Sequence, residues 1–480
     1  MPTVFPMLID GEAVGSAETI AVINPADESL IAHAPDCDRD HLDQAVAAAR
    51  RAQGAWAGLS FADRRASLHA IADIVIENVD TLQCLLTLEQ GKPHAEARGE
   101  ILAAVQHLRD TLTLDLPVLV AEDNQDRYVE TRYLPLGVVA AIAPWNFPIM
   151  LAISKIGPAL LTGNTVVLKP SPLTPLSTLR IGELVRDLLP PGVFNIVSGG
   201  DRLGPWLVEH AGVDKISFTG STRTGRKIMQ SAAPTLKRLT LELGGNDAAI
   251  VMADVDVAAL VPRLFWMAFG NCGQVCVAIK RLYVHKDIYE EFKEAFVAYA
   301  RSIKMGNGSD QGTEIGPLVS KDQYDRVIGL IEDSQVQGHS FLTGNGVPPG
   351  LGYFVPITII DNPPTSARIV REEQFGPVLP LIRFDDISDI VACANDSEYG
   401  LGGSIWTGDE AKALEMAAQL QAGTVWINGP QYTSALAPFG GHKQSGLGVE
   451  GGMDGLLHYT VARTIVIHRN PMRNEPSHKA

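Results

Sequence analysis

Short apolar segments that alternate with helical patterns are the feature that most constrains the fold of this chain. From Gly137 onward such segments are punctuated by Gly and Pro, at Val138–Ala143, Thr165–Leu168, Phe194–Val197 and Ile216–Thr219. Strands this short and this apolar are typical of parallel sheets that helices cover on both faces. A second series follows Glu242, at Ala248–Met252, Arg281–His285, Leu379–Phe384 and Gly423–Asn428. The sequence therefore predicts an α/β fold with two α/β domains in tandem.

The chain before about residue 115 is predicted to be mostly helical after a short opening segment. Its clearest pattern runs from Asp63 to Gln90, where apolar residues recur in steps of three and four, at Leu68, Ile71, Val75, Val79, Leu82 and Leu86. This spacing predicts one helix that buries a single face, and the following Gly91-Lys92-Pro93 is a stop signal.

Two segments outside these series alternate like strands. They are Asp126–Leu134 and Thr464–His468. Two such strands could pair with each other and extend the sheet of a neighbouring copy, which predicts an oligomer.

Composition excludes several classes of protein. With 46 % hydrophobic residues the chain can build large cores, and its net charge of −16 disfavours binding to nucleic acid or to an anionic membrane. The longest apolar stretch, residues 137–153, is interrupted by Pro144, Asn146 and Pro148, so it is a poor membrane span. Five cysteines are no disulfide framework, and no Lys or Arg precedes Arg39. We therefore expect a cytoplasmic protein without a secretory signal or transit peptide.

Two glycine-rich segments are candidates for a phosphate site. The dinucleotide fingerprint G-x-G-x-x-G occurs once, at Gly446, Gly448 and Gly451. It follows no buried strand and opens no clear helix, so we interpret it as a loop.

The better candidate is residues 216–228, where a strand ending at Thr219 turns through Gly220 and Ser221 into a helix containing Gly225. Free N–H groups at that helix start could face a pyrophosphate, although a plain helix cap would have the same sequence. The segment misses the P-loop pattern, because the lysine is out of register and the Mg²⁺ hydroxyl is absent, which disfavours an NTPase.

Three further residues could carry chemistry. Lys169 ends a strand, where it is either a ligand contact or a solvated lysine. Cys276 lies in the Gly-rich loop 270–281, where it is either a nucleophile or a buried inert thiol. Cys272 could be its redox partner or simple packing, and a zinc site is disfavoured because no further His or Cys lies at ligand spacing. Glu242 ends a strand before two glycines, as a general base or as an exposed acid.

Taken together, seven segments resemble the aldehyde dehydrogenase superfamily, in its hydrolytic, NAD(P)-dependent branch. They are PWNFP (144–148), KPSPLTP (169–175), FTGST (218–222), LELGG (241–245), GQVC (273–276), EEQFGPV (372–378) and PFGGHKQSG (438–446). The resemblance extends from about Asn24 to the closing strand. It implies two Rossmann-like domains and a small β element for oligomerisation. The expected bounds are 1–117 with 137–243 for the dinucleotide-binding domain, 244–445 for the catalytic domain, and 118–136 with 459–470 for the oligomerisation strands.

The resemblance also implies a mechanism. Cys276 would attack the aldehyde carbon and form a thiohemiacetal, and Asn146 with the Cys276 backbone N–H would hold the oxyanion. After hydride transfer to the nicotinamide, Glu242 would activate the water that hydrolyses the thioester. This glutamate favours the hydrolytic branch over the CoA-acylating one.

For the cofactor, the resemblance implies contacts from eight residues: Trp145, Lys169, Ser171, Gly220, Ser221, Gly225, Glu373 and Phe375. Relatives that prefer NAD often carry Glu three residues after the lysine, where this chain has Pro172. We expect NAD, while NADP stays open, because no carboxylate at that position repels a 2′-phosphate. No metal is expected.

Substrate contacts are implied for six residues: Phe147, Leu151, Gln431, Tyr432, Thr433 and Phe439. They are neutral and partly aromatic, and a buried unpaired carboxylate would be costly among them, which favours a medium-sized neutral or aromatic aldehyde. A semialdehyde dehydrogenase of the same mechanism and a non-redox thiol esterase using Cys276 are the alternatives, and an inactive binding protein is disfavoured by the intact Cys276, Glu242 and Asn146. The expected partners are this small molecule and further copies of the chain, in a homodimer or homotetramer.

Overall fold

The structure is a computed structural model that describes residues 5–344, 346 and 350–469. Residues 1–4, 345, 347–349 and 470, which fall within the predicted domains and strands, lie outside the described residues. Within the described part the strands are, in chain order, β1 Met7–Ile9, β2 Glu12–Val14, β3 Thr19–Ile23, β4 Leu30–Pro35, β5 Leu119–Asp123, β6 Arg127–Pro135, β7 Val138–Ile142, β8 Thr165–Lys169, β9 Phe194–Ile196, β10 Lys215–Thr219, β11 Arg238–Glu242, β12 Asp247–Val251, β13 Ile279–His285, β14 Ser340–Thr343, β15 Thr358–Asp361, β16 Val378–Phe384, β17 Tyr399–Gly400, β18 Gly402–Trp406, β19 Thr424–Ile427, β20 His442–Lys443, β21 Gly446–Leu447 and β22 Thr460–His468. The α-helices are α1 Arg39–Gly58, α2 Phe61–Glu77, α3 Val79–Gln90, α4 His94–Thr111, α5 Pro148–Leu161, α6 Leu176–Val185, α7 Leu203–Glu209, α8 Thr222–Ala232, α9 Val257–Phe269, α10 Tyr289–Ser302, α11 Lys321–Val336, α12 Arg368–Arg371, α13 Ile387–Asn395, α14 Glu410–Ala417 and α15 Gly452–Leu457.

The first sheet has the order β2-β1-β9-β8-β7-β10-β11-β21. Its five parallel strands are β9, β8, β7, β10 and β11. Both faces are buried, because alternate residues of β7 enter two different apolar clusters. Val139 and Ala141 join one cluster, and Val138 and Ala140 join the other. The strand order reverses between β7 and β10, and a crevice at such a switch point is where open α/β sheets bind ligands.

The second sheet has the order β14-β15-β16-β13-β12-β18-β19, with only β14 antiparallel. It has its own core, in which helix α9 packs against α10 and β13. The link from β11 to β12 spans only residues 243–246, so the carboxyl edge of the first sheet faces the amino edge of the second. Two parallel sheets covered by helices confirm the predicted α/β architecture.

The predicted strand pair is confirmed and is longer than expected. Strand β22 pairs antiparallel with β6 over its whole length, from Thr460 opposite Pro135 to His468 opposite Arg127. A third strand that the sequence analysis missed, β5, covers the other edge of β6.

One expectation for the N-terminal region was wrong, and its strands were not predicted. The opening segment contains four strands, β1 to β4, of which β1 and β2 extend the first sheet. The helix expected over Asp63–Gln90 is two helices, because Asn78 leaves the α region with φ −107° and ψ 16°. The apolar period continues across Asn78, since both helices bury the same side, and periodicity alone therefore does not reveal the break.

The glycine fingerprint at residues 446–451 differs in one respect from the expectation. A helix does follow it, α15, which starts at Gly452. Strand β21, Gly446–Leu447, lies within the fingerprint itself and pairs antiparallel at the edge of the first sheet. The strand–turn–helix context of a dinucleotide site is therefore still missing. Among the described residues, no helix combines the length and apolarity needed to cross a bilayer.

Candidate active site

A cleft lies where the two sheets face each other. The loops after β7, β10 and β11 contribute from the first sheet, and the segments before β13 and β16 contribute from the second, with helix α11 at the side. The lining residues are Pro144, Trp145, Asn146, Thr219, Gly220, Ser221, Leu243, Gly244, Cys276, Gln323, Arg326, Glu373 and Phe375. The structure thus brings seven of the predicted site residues to one place: Trp145, Asn146, Gly220, Ser221, Cys276, Glu373 and Phe375.

Cys276 lies three residues before β13 and is half-buried at the cleft. It packs against an apolar cluster of Val277, Leu401 and Trp426, which Val275 and Phe439 also contact. Burial raises the pKa of the Cys276 thiol to about 12, while the nearby Lys280 ammonium acts in the opposite direction. The thiol is therefore protonated at neutral pH and needs a base before it can act as a nucleophile.

A left-handed turn precedes the Cys276 loop. Asn271, Cys272 and Gly273 have φ values of 50°, 57° and 71°. Gly273 is required there, because a Cβ would lie 2.3 Å from the carbonyl oxygen of Gly376. The turn is held by the Asn271 N–H, which donates to Glu96 Oε1 at 2.7 Å. Cys272 is 1 % exposed and packs in the core, which favours packing over a redox role.

Asn146 is buried between the loop that carries Cys276 and the start of α5. Its side-chain Nδ2 donates to the carbonyl of Gln274 at 3.0 Å, so one of its two N–H groups remains for a ligand. The backbone carbonyl oxygen of Asn146 accepts hydrogen bonds from Asn271 Nδ2 and from Lys92 Nζ, each at 2.9 Å. These bonds fix the Asn146 loop against the segment that carries Cys276.

Lys92 belongs to a buried ion pair that the sequence analysis did not identify. Its Nζ lies 2.6 Å from Glu100 Oε2, and both side chains are 1 % exposed. The other oxygen of Glu100 accepts the N–H groups of Ile149 and Met150 at the start of α5. In the sequence, the only local hint of Lys92 is the helix-stop signal Gly91-Lys92-Pro93. The pair itself is not visible, because its two residues are eight positions apart and lie on either side of a helix end, so they follow no helical period.

Glu242 ends β11 and is 5 % exposed, which excludes the alternative of an exposed strand-end acid. Neither carboxyl oxygen has a hydrogen-bond partner among the residues that the structure describes. Burial raises the pKa of the Glu242 carboxyl well above its usual value, and Glu450 raises it further while Lys155 opposes the shift. Lys155 and Glu450 form a buried ion pair at 2.5 Å. A buried carboxyl with unsatisfied oxygens is costly, and such groups are typical of functional sites.

The predicted cofactor residues Trp145, Glu373 and Phe375 line the same cleft as Cys276. The rings of Trp145 and Phe375 meet edge to face at 5.4 Å between centroids. Glu373 Oε1 accepts the N–H of Gly245 at 2.9 Å, and a Cβ on Gly244 would lie 2.4 Å from Glu373 Oε2. Gly244 therefore lets the loop approach Glu373 closely, and Gly245 lets it approach the Cys276 segment, since a Cβ on Gly245 would lie 2.7 Å from the Cys276 carbonyl oxygen.

Other predicted cofactor residues lie outside the cleft lining. Lys169 is buried at the end of β8; burial lowers its pKa to about 8, and Asp201 and Asp36 oppose that shift. Ser171 accepts the N–H of Leu173 at 3.3 Å. Gly225 lies in α8, where a Cβ would come within 2.7 Å of the Leu243 side chain, so its small size lets the helix pack closely.

A dinucleotide fits this arrangement. The crevice lies at the switch point of the first sheet, and helix α8 begins beside it with Ser221 as its N-cap. The same crevice offers two aromatic rings and the carboxylate of Glu373. In the described residues, no group of three or more potential ligands could hold a metal ion.

The predicted substrate residues divide into two sets. Phe147, Leu151, Gln431 and Phe439 are partly buried, and Phe439 packs against the apolar cluster at Cys276. Gln431 Nε2 donates to the carbonyl of Val277 at 2.6 Å, one residue after the thiol. Tyr432 and Thr433 are exposed, with Tyr432 at 70 %.

Comparisons with known proteins agree with this geometry. The family model described as "Aldehyde dehydrogenase family" matches residues 13–465. A probable aldehyde dehydrogenase from a Pseudomonas species is 42 % identical over 98 % of this chain and 96 % of that protein. Phenylacetaldehyde dehydrogenase from Pseudomonas fluorescens is 41 % identical over 96 % of this chain and 95 % of that protein. The solved NAD⁺ complex of an aldehyde dehydrogenase from Bacillus cereus is similar with a TM-score of 0.94 and 38 % identity, covering 97 % of this chain and 96 % of that one.

Proposed function

The chain belongs to the aldehyde dehydrogenase family, and we propose that it oxidises an aldehyde to the carboxylic acid with NAD, through a covalent intermediate on Cys276. The observation that carries this proposal is a thiol in a dinucleotide-type cleft, with the buried carboxyl of Glu242 directly before the lining residues Leu243 and Gly244. Cys276 lines that cleft, and the charge of Glu242 raises the pKa of its thiol.

In the first step the Cys276 sulfur bonds to the aldehyde carbon after the thiol has given up its proton to a base. The carbonyl oxygen becomes an oxyanion, which accepts hydrogen bonds from the free N–H of Asn146 and the backbone N–H of Cys276. A donor of this kind contributes about 3 kcal/mol to the transition state. The bonds from Asn146 to Gln274 and from Lys92 to Asn146 support this role, because they hold the amide in place before the charge develops.

Bound NAD supplies the acceptor for the hydride that leaves the substrate carbon. Glu373, Phe375, Trp145 and Ser221 would hold it in the cleft. The preference for NAD over NADP is supported by Pro172, three residues after Lys169, which supplies no cation to attract a 2′-phosphate.

Glu242 completes the cycle by taking a proton from the water that attacks the thioester. The products are the carboxylic acid and the free thiol of Cys276. Its raised pKa makes the Glu242 carboxylate a stronger base than an ordinary surface carboxylate.

The test follows NADH absorbance with a panel of aldehydes. Wild type and the control Cys84→Ala, whose cysteine is exposed on α3, are expected to form NADH, and Cys276→Ala is expected to form none. Equal rates in Cys276→Ala would refute the nucleophile. Ester turnover without any NADH formation would favour the thiol esterase instead.

We infer that the substrate is a medium-sized neutral or aromatic aldehyde. The apolar cluster that includes Cys276 supports this, and Lys92, whose Nζ lies 4.0 Å from the centre of the Phe147 ring, is already paired with Glu100. The relative named phenylacetaldehyde dehydrogenase also favours it. A higher kcat/KM for a carboxylate-bearing semialdehyde than for phenylacetaldehyde would contradict this inference.

A homodimer or homotetramer is proposed from the three-stranded sheet of β5, β6 and β22. Its apolar side chains are about half exposed, including Val120, Val466 and Ile467. A surface with this many exposed apolar residues favours association with another copy.

A further inference from the structure

Lys280 is a buried lysine directly beneath the nucleophile loop. It is the second residue of β13 and is 2 % exposed. Its Nζ donates to the carbonyl of Val275 at 2.8 Å and to that of Cys276 at 2.7 Å, with a longer contact to Ala278 at 3.3 Å. A buried ammonium needs such partners, and here all three belong to the turn that carries the thiol.

The same ammonium also faces the cofactor side of the cleft. Its Nζ lies 3.9 Å from Glu373 Oε1, and the side chains are 2 % and 13 % exposed. That oxygen accepts the N–H of Gly245 as well, so Glu373 is held between the loop after β11 and Lys280. The ring of Phe375 lies 5.9 Å from Nζ. One cation therefore touches both the peptide of the nucleophile and a carboxylate that faces the proposed cofactor.

We propose that Lys280 is a positioning residue that couples Cys276 to Glu373. Its ammonium holds the peptide that carries the thiol and favours the thiolate over the thiol. It also neutralises part of the charge of the Glu373 carboxylate, which faces the proposed nicotinamide end of the cleft. This inference rests on the proposed function, because it assigns Cys276 and Glu373 their roles there.

The charges around the thiol agree with this coupling. Lys280 lowers the pKa of Cys276, whereas Asp247, Glu373 and Glu242 raise it. Lys280 is the only cation among these four groups, and its Nζ lies closer to the nucleophile's own carbonyl, at 2.7 Å, than to Glu373, at 3.9 Å. Removing it leaves three carboxyl groups acting on one thiol.

The test measures the rate at which iodoacetamide alkylates Cys276 as a function of pH. Lys280→Met is expected to shift the profile to higher pH and to slow alkylation about tenfold at neutral pH, because the rate below the thiol pKa follows the thiolate fraction. Lys280→Arg should restore most of the rate. The control Lys286→Met removes a surface lysine just past the far end of β13 and should leave the profile unchanged.

A second variant keeps the inference testable if Lys280→Met does not fold. Glu373→Gln removes one of the charges that oppose the thiolate, so its profile should move to lower pH, and its NAD dissociation constant should rise. An unchanged profile in Lys280→Met, or in Glu373→Gln where Lys280→Met does not fold, would overturn the coupling. Alkylation needs no turnover, so a shifted profile without any NADH formation would instead refute the proposed function alone.

Discussion

The buried pair of Lys92 and Glu100 allows a prediction whose size follows from the structure. In Lys92→Met the Glu100 carboxylate keeps only the N–H groups of Ile149 and Met150, at 3.0 and 3.2 Å. Removing one partner of a buried ion pair costs about 3–5 kcal/mol. For 480 residues, an unfolding entropy of about 2.1 cal/mol/K per residue makes this a fall of about 3–5 °C in Tm.

Activity should fall as well, because Lys92 donates to the carbonyl of Asn146. Asn271 still donates to that carbonyl, so we expect a loss in kcat/KM of about tenfold, below the 10²–10³ that removal of an oxyanion donor costs. Thermal unfolding and NADH formation are measured on Lys92→Met, Glu100→Gln and the double variant. The double variant should recover more than half of the lost Tm, since it buries no unpaired charge. A single variant as stable as wild type, or a double variant less stable than both singles, would refute the reasoning.

Three further predictions concern the cleft and the small sheet. In wild type kcat should rise as the pH passes the raised pKa of Glu242, because only the carboxylate form accepts the proton from water. The pH–rate profile of Glu242→Gln should lack this rise, and a rise that persists in the variant would contradict the general-base role. Gly244→Ala should raise the NAD dissociation constant about tenfold or more without changing the secondary structure, since the added Cβ would lie 2.4 Å from Glu373 Oε2. An unaltered NAD affinity in a titration would show that Glu373 does not hold the cofactor. Ile467→Lys should reduce the oligomer in sedimentation experiments, and an unchanged mass would show that β22 is not at the interface.

The parallel strands could be predicted where a strand that is buried on both faces is an unbroken run of apolar residues. Strand β7 is such a case, since helices cover both of its faces and every residue is buried. Strand β18, with the sequence GGSIW, was missed because its glycines fit tight packing: a Cβ on Gly402 would lie 2.6 Å from the Trp426 ring. The N-terminal strands were missed because they are short: β1 is a buried apolar run of only three residues, Met7–Ile9, which pairs antiparallel with β2.

The site could be predicted only where a residue type and its local context both point to chemistry. Cys276 in a Gly-rich loop and Glu242 before two glycines are of this kind, and both lie at the cleft or beside it. Lys280 and Lys92 give no such signal, because each acts through partners that only the tertiary fold brings near. The roles of these residues remain predictions, whereas the fold class and the family are confirmed.

The most direct test of the central claim is to trap the covalent intermediate. Glu242→Gln is mixed with NAD and phenylacetaldehyde, and the protein is quenched and analysed by peptide mass spectrometry. We expect a burst of NADH and one acyl group per chain, on the peptide that contains Cys276. A burst without an acyl group on that cysteine, or acylation at another residue, would contradict it.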